Sequence, residues 1–302
     1  MPRDLLFPPP EDLPKGFPLP CPPIQKRTSP LRQKFWFYVH EYVLVPFAIR
    51  YARFYGLSLT EGVYPLPFGL VIKSLPNVRE SEAIAMNLAC AMGIPAPKAL
   101  TFGDHDPGTT RDKVKYHSSI LMTRLPGIDL DKVSDDQIDL DVIREDLVKI
   151  LTRMRSFGSP FGSTICGVDG GPVFGPLIPF SPLPASENDA TFRERIKNVT
   201  HPREYGAVVE EFFSLPSVAP VFTHGDLNRH NIMVTPDGHV SGIFDWEAAG
   251  WLPEYWEVSV TAQLPTRKWG RFMREEVTRG VYDGHCKGHS ALLPFVSDSF
   301  RW

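Results

Sequence analysis

The chain has 302 residues, 42% of them hydrophobic, a formal net charge of -3 and a pI near 6.3. That length buries a substantial core, in one bilobal unit or two tightly packed domains. The charge balance excludes nucleic acid as the main partner, because neutralising phosphates takes clustered Lys and Arg. A small molecule is the expected partner.

Ten prolines among residues 1–30 remove backbone donors and block helix, which predicts an arm that is extended or docks on the body. The aromatic stretch that follows, LRQKFWFYVHEYVLVPFAIRYARFYG, is long enough to suggest a membrane span. His40, Glu41, Arg50 and Arg53 interrupt it and Pro46 breaks a continuous helix, so two helical pieces are expected and a spanning segment is not. They would pack on the body or on a partner chain, which opens a homodimer through these helices. The basic residues are sparse for an interfacial helix, so contact with a membrane surface is the weaker reading.

From residue 68, FGLVIKSL reads as a strand whose alternation puts Val71 and Lys73 on one face and Leu70 and Ile72 on the other. A helix is predicted from about Glu80 to Met92, apolar nearly all round and therefore buried, with Glu82 at its polar start. SSILMTRLPGIDLD gives a strand ending at a Pro-Gly turn. DLDVIREDLVKILTRMRSFG gives an amphipathic helix of about eighteen residues with an Asp-rich N-terminal flank. Residues 157–186 read as a long loop on the second lobe. Four scattered cysteines in no CxxC pair, and no signal-peptide pattern at the start, predict free thiols and a cytoplasmic location.

The chemistry concentrates in THGDLNRHNIMV (223–234) and SGIFDWEAAGW (241–251). Asp226 and Asn231 lie on a loop between two short apolar strands, and Asp245 follows another apolar pair. A carboxylate to orient and deprotonate a hydroxyl, with an amide oxygen and a second carboxylate to hold Mg²⁺ on phosphates, is the equipment of phosphoryl transfer. As turn and cap residues they would be redundant, since one turn does not need all three. Lys73 would bring positive charge to the phosphates if Glu82 pairs with it. Elsewhere the plainer readings hold: DLDKVSDDQIDLD as a solvated helix start, GHCKGH as a loop without a metal-ligand partner pair, and Trp251, Tyr255 and Trp256 as core.

LPFGLVIK, EAIAMNLACAMGIPAPKAL, ILMTRLPG, HGDLNRHNIMV and IFDWEAAGWLPEYWE together resemble the aminoglycoside phosphotransferase and choline kinase-like family, over about residues 60–260. The PEYWE segment resembles the fungal-type members. The resemblance implies an α+β, bilobal protein kinase-like fold, with a small N-lobe of antiparallel sheet plus helix and a larger, mainly helical C-lobe. The boundaries would be a Pro-rich arm at 1–30, a nucleotide-binding lobe at 31–125 led by the aromatic helices, and a catalytic and substrate lobe at 126–302.

It further implies ATP, or GTP, with Mg²⁺, and transfer of the γ-phosphate to a hydroxyl of a small molecule. Asp226 would be the base and Asn231 and Asp245 the magnesium ligands. Lys73 would contact the α- and β-phosphates and Glu82 orient it. Val71 would pack on the adenine, the backbone of Met122, Thr123 and Arg124 would read the base edge, and His224 would brace the loop.

Two features depart from the pattern. No G-x-G-x-x-G precedes Lys73, so the phosphate-covering loop is short or replaced, and the short interval from Lys73 to Glu82 leaves Glu80 as an alternative partner. A protein kinase is disfavoured, because D-W-E stands where D-F-G would and no A-P-E follows. The remaining alternative is a kinase-like module that binds without transferring phosphate.

Overall fold

The computed structural model describes residues 18–60, 62–76, 78–105, 118–175, 178, 182–199, 206–262 and 267–292. Most of the Pro-rich arm lies outside them. Its described end, residues 18–29, is extended and docked: Leu19 bonds to the backbone of Ser156 and Gly158, Arg27 pairs with Asp169 at 2.6 Å, and Thr28 donates to Glu80.

The aromatic stretch folds as α1 (Pro30–Val39), a π turn (His40–Leu44) and α2 (Val45–Tyr55), one unbroken helical run. The expected break at Pro46 does not occur. Pro46 falls in the first turn of α2, where a missing N–H costs little, and the wide turn before it relieves the crowding its ring would cause. Gly56, at φ 64°, then ends the helix, with Leu57 N–H returning to Ala52 O.

A four-stranded antiparallel sheet follows, in the order β1-β2-β4-β3, from Val63–Leu66, Leu70–Leu75, Ser118–Thr123 and Ala99–Gly103. Its two faces are filled by the alternation read in the sequence. Ile72 and Leu66 are buried against Ala48 of α2 on the outer face, while Ile120, Met122 and Phe102 join α3 (Glu80–Ala91) in the main core. Burial on both sides explains why α3 is apolar nearly all round.

The second lobe is built on α4 (Leu140–Arg155), whose N-terminus is capped by Asp139 accepting from Asp141 N–H at 2.9 Å. Ile143, Leu147, Leu151 and Met154 form its buried stripe. Two small sheets lie beside it: β6-β10-β7, from Cys166–Gly167, Gly250–Pro253 and Pro220–Thr223, and β5-β8-β9, from Ile128–Asp129, Ile232–Val234 and Val240–Ile243. Helices α5 (Asp189–Val199), α6 (Ala207–Ser214), α7 (Trp256–Thr261), α8 (Arg267–Phe272) and α9 (Asp283–Leu292) complete it.

The stretch 157–186, expected as plain loop, holds β6 and the bridges Ile165–Ser186 and Val173–Leu183 among its described residues. GHCKGH, expected in a loop, lies in α9, with Cys286 and His289 buried. Trp251, Tyr255 and Trp256 are core, as read. Among the described residues no helix is long and apolar enough to cross a membrane.

Candidate active site

Strand β7 delivers the chain to His224, Gly225 and Asp226, and a 3-10 turn (Arg229–Asn231) returns it to β8. Strand β9 pairs with β8 and leads to Phe244 and Asp245. Phe244 N–H donates to Asn231 O at 3.0 Å, which locks the two acid-bearing segments side by side.

Gly225 holds φ 83°, and a Cβ there would lie 2.4 Å from Ala248 O, so only glycine fits between the loop and the segment after Asp245. His224 braces the turn. Its Nδ1 accepts from Asp226 N–H at 3.2 Å, so Nε2 carries the proton and donates to Phe244 O at 2.9 Å.

The buried Glu257 of α7 accepts from His224 N–H at 2.7 Å and Gly225 N–H at 3.1 Å. Sequence reasoning gave this residue no role although it ends the PEYWE segment. Its partners are 33 and 32 residues away, and no local spacing signals them.

Asn231 Nδ2 donates to Asp226 O at 2.8 Å and to Asp226 Oδ2 at 2.9 Å, while Asn228 Nδ2 donates to the other carboxylate oxygen. His230 Nε2 stands 3.7 Å from Oδ2. Burial alone would raise the Asp226 carboxyl, but the nearby imidazoles of His230 and His224 and the Asn228 amide outweigh it and hold it below its ordinary value. Asp226 is therefore ionised at neutral pH, partly buried and aimed by two amides.

Across the cleft, Lys73 Nζ donates to Glu82 Oε1 at 2.9 Å and to Asp245 Oδ1 at 2.8 Å, so one ammonium ties β2, α3 and the second lobe together. Burial opposes its charge, and the two carboxylates more than restore it, raising the ammonium above its ordinary value. Glu80 is engaged elsewhere, by Thr28 N–H and Gln33 Nε2, so Glu82 is the partner of Lys73.

Carboxylate oxygens of Glu82, Asp245 and Glu247 lie within 4.8 Å of one another. Burial pushes Glu82 up to about 7, against the pull of Lys73 and with the help of Asp245 and Glu247. Glu247 is raised by burial and by Asp245. Glu82 Oε2 is buried without a partner among the described residues. Three carboxylates face one lysine, an excess of negative charge with oxygen donors suited to a hard divalent cation. Asn231 spends its amide nitrogen on Asp226, which leaves its oxygen uncommitted among the described residues. Asp245, at φ 63°, sits in the left-handed region that Asp tolerates better than most residues. Glu247 was quoted in the D-W-E motif without a role, and the fold adds it to this cluster.

Beside the cluster opens a cleft of about 480 Å³, lined by Val71, Met122, Thr123, Arg124, Leu125, Met233 and Phe244 among others. All four residues read as base-binding reach it. The N–H groups of Thr123 and Arg124 are committed to Lys98 O and Gly69 O. The first uncommitted donor on this segment, among the described residues, is Leu125 N–H.

Only β1 precedes the lysine strand among the described strands. Residues 56–60 lead from α2 towards β1, and Leu57, Ser58 and Thr60 among them line the cleft. This segment stands where the missing glycine-rich loop was sought.

Residues 73–286 match the family described as the phosphotransferase enzyme family. No curated protein matches the chain. Among solved structures, a thermostable mutant of aminoglycoside phosphotransferase APH(4)-Ia in its apo form is similar at 14% identity, covering 82% of this chain and 98% of that one with a TM-score of 0.50. Aminoglycoside phosphotransferase APH(3'')-Id from Streptomyces rimosus is similar at 15% identity, covering 84% and 98%, with a TM-score of 0.44. The first of these likenesses is one of fold, the bilobal α+β protein kinase-like architecture.

Proposed function

The chain belongs to the phosphotransferase enzyme family, and we propose that it transfers the γ-phosphate of ATP, or of GTP, to a hydroxyl of a small molecule. The observation that carries this reading is Lys73, held at 2.9 Å from Glu82 and 2.8 Å from Asp245 where the two lobes meet. A cation placed between an orienting acid and a cleft of apolar base-sized walls suits a nucleotide's phosphates.

In this reading Val71 and Met122, cross-strand neighbours on one face of the sheet, pack on one side of the base, Met233 of the second lobe lines the other, and Leu125 N–H meets its edge. Lys73 neutralises the α- and β-phosphates, and Glu82 keeps its ammonium from turning away. Asn231 and Asp245, with Glu247 beside them, would hold Mg²⁺, which when bound shields the phosphate charge. Asp226 accepts a hydrogen bond from the acceptor hydroxyl, fixes its approach and takes up its proton as the new P–O bond forms and the bond from the γ-phosphorus to the departing nucleoside diphosphate breaks. His224 and Glu257 hold the loop that carries Asp226. The four free cysteines agree with a cytoplasmic setting.

A second reading, a module that binds nucleotide without transferring phosphate, is favoured by residues 56–60 standing in place of a glycine-rich loop. One experiment separates the two: thermal unfolding with ATP or GTP, with and without Mg²⁺, on wild type, Asp245→Asn and Asp226→Ala, followed by phosphate transfer to a panel of hydroxylated metabolites. At a hundred times its dissociation constant a ligand adds about 2.7 kcal/mol. The proposal expects a Mg²⁺-dependent gain that is lost in Asp245→Asn and kept in Asp226→Ala, with turnover abolished in the latter. A gain without transfer to any acceptor supports the binding module, and no gain with any nucleotide refutes both.

A further inference from the structure

The helical run from Pro30 to Tyr55 covers the outer face of the N-lobe sheet, and only its inner side is used. His40, Ala48 and Ala52 are fully buried there. On the opposite side Leu31, Phe35, Tyr38 and Tyr42 recur at helical spacing, and Val43, Phe47 and Phe54 extend the stripe. These are large exposures: Leu31 83%, Tyr42 71% and Phe54 82%. At roughly 200 Å² per large side chain the stripe offers on the order of 800 Å² of apolar surface, above the few hundred that soluble monomers usually show. At 1.5 Å per residue it runs about 39 Å.

Charge identifies what the stripe meets. Arg32, Lys34, Arg50 and Arg53 are exposed along the run, and none is ion-paired to another described residue. The segment's one acid, Glu41, is turned inward and accepts from Ser74 Oγ. The run therefore presents aromatic rings edged by positive charge on a chain whose formal net charge is -3.

A second copy is a poor occupant. Laid antiparallel, two such helices bring the Arg50–Arg53 end of one against the Arg32–Lys34 end of the other, and laid parallel they bring like ends together. Sequence spacing alone made the basic residues look sparse. The fold supplies the missing step by turning the acid in and leaving the bases out.

We propose that this face docks on the surface of an anionic lipid bilayer, with Phe35, Tyr42 and Phe54 sunk at the headgroup level and the four basic side chains on the lipid phosphates and carboxylates. Cleft residues Val71 and Lys73 lie on the other face of the sheet, so docking leaves the nucleotide cleft open. The inference does not depend on the reading of that cleft.

The test is sedimentation of the full chain with vesicles of phosphatidylcholine alone, and of phosphatidylcholine mixed with phosphatidylserine, at low and high salt. The variants are Arg50→Gln with Arg53→Gln, and Tyr42→Ser with Phe54→Ser. All four side chains are exposed, so the fold should survive, and unfolding midpoints check that it does. Binding should appear with phosphatidylserine only and weaken in high salt. Each basic side chain near an anionic surface contributes about a factor of five, so the double Gln variant should bind about thirty-fold more weakly at low salt. The double Ser variant should also lose binding.

Absence of binding to the mixed vesicles, equal binding to both kinds, or a wild-type dimer that the double Ser variant dissociates would each overturn the proposal. If a variant does not fold, the wild-type comparison of lipid charge and salt decides alone.

Discussion

Glu257→Ala removes one side chain that touches neither cleft nor cluster, yet it should disable the site. The carboxylate is buried and accepts two backbone N–H groups, from His224 at 2.7 Å and Gly225 at 3.1 Å. Hydrogen bonds to a charged acceptor are worth about 1.5–3 kcal/mol each, so the loss is about 3–6 kcal/mol, a large part of the 5–15 that holds a domain together. At roughly 2 °C per kcal/mol for a chain of this size, the midpoint should fall by about 6–12 °C. Glu257→Gln keeps one acceptor oxygen and should lose about half as much.

Calorimetry measures the midpoint, and titration with Mg²⁺ and nucleotide measures whether the cleft survives. Lys73 and Asp245 are carried by other elements, so nucleotide affinity should change little while turnover drops with the loosened Asp226. A midpoint and turnover equal to wild type in Glu257→Ala would refute the assignment of this acid as the brace of the loop.

Gly225→Ala should be more damaging than its one added carbon suggests, because that Cβ meets Ala248 O at 2.4 Å and the backbone holds φ 83°. Denaturant titration should place the loss at about 2 kcal/mol or more, and a neutral result would mean the loop is not clamped against residue 248. Two buried histidines should each contribute a loss of stability in mild acid. His40, enclosed by Ser119 and Thr101, and His289, stacked on Phe212 and Trp256, are each pushed down to about 4 by burial. Their folded-state values lie below the unfolded value near 6.5, so the unfolded chain takes up the protons first. Their contribution is whole above about pH 6.5 and is lost towards pH 4, by up to about 3 kcal/mol per histidine. Glu82, pushed up to about 7, acts in the opposite sense over the same window, so the check is the difference between wild type and His40→Gln or His289→Gln: a variant whose stability declines with acid as steeply as that of wild type would contradict that histidine's assignment.

The parts that could be read in the sequence are those whose chemistry is local. HGDLNRHN and IFDW carry their acids at fixed steps from short apolar strands, and period-2 alternation around Lys73 gives the sheet both its faces. Glu82 over Glu80 was not decidable, because the choice is made by Thr28 and Gln33, which occupy Glu80 from the docked N-terminal segment. Pro46 misled because its cost depends on the turn before it. The N–H groups of Thr123 and Arg124 are taken by Lys98 and Gly69, contacts that only the folded sheet creates, and these move the proposed base-edge donor to Leu125.

The same contacts bear on how the site is controlled. In protein kinases the helix carrying the glutamate must be brought to its lysine, and activation acts on that movement. Here α3 is fastened along its length. Glu80 at its start is held by Thr28 and Gln33, and Asn87 in its middle donates to Gln25 at 2.6 Å. Met92 O just past its end takes Arg153 Nε at 2.7 Å from the second lobe. The N-terminal segment that holds α3 is itself fixed to the second lobe by Leu19 on Ser156 and Arg27 on Asp169. A helix pinned at both ends and in the middle cannot swing without breaking several bonds at once, so the Lys73–Glu82 pair is formed before any ligand arrives. Such an arrangement keeps Lys73 and Glu82 in contact without a movement of α3, unlike the helix that protein kinases must bring to its lysine.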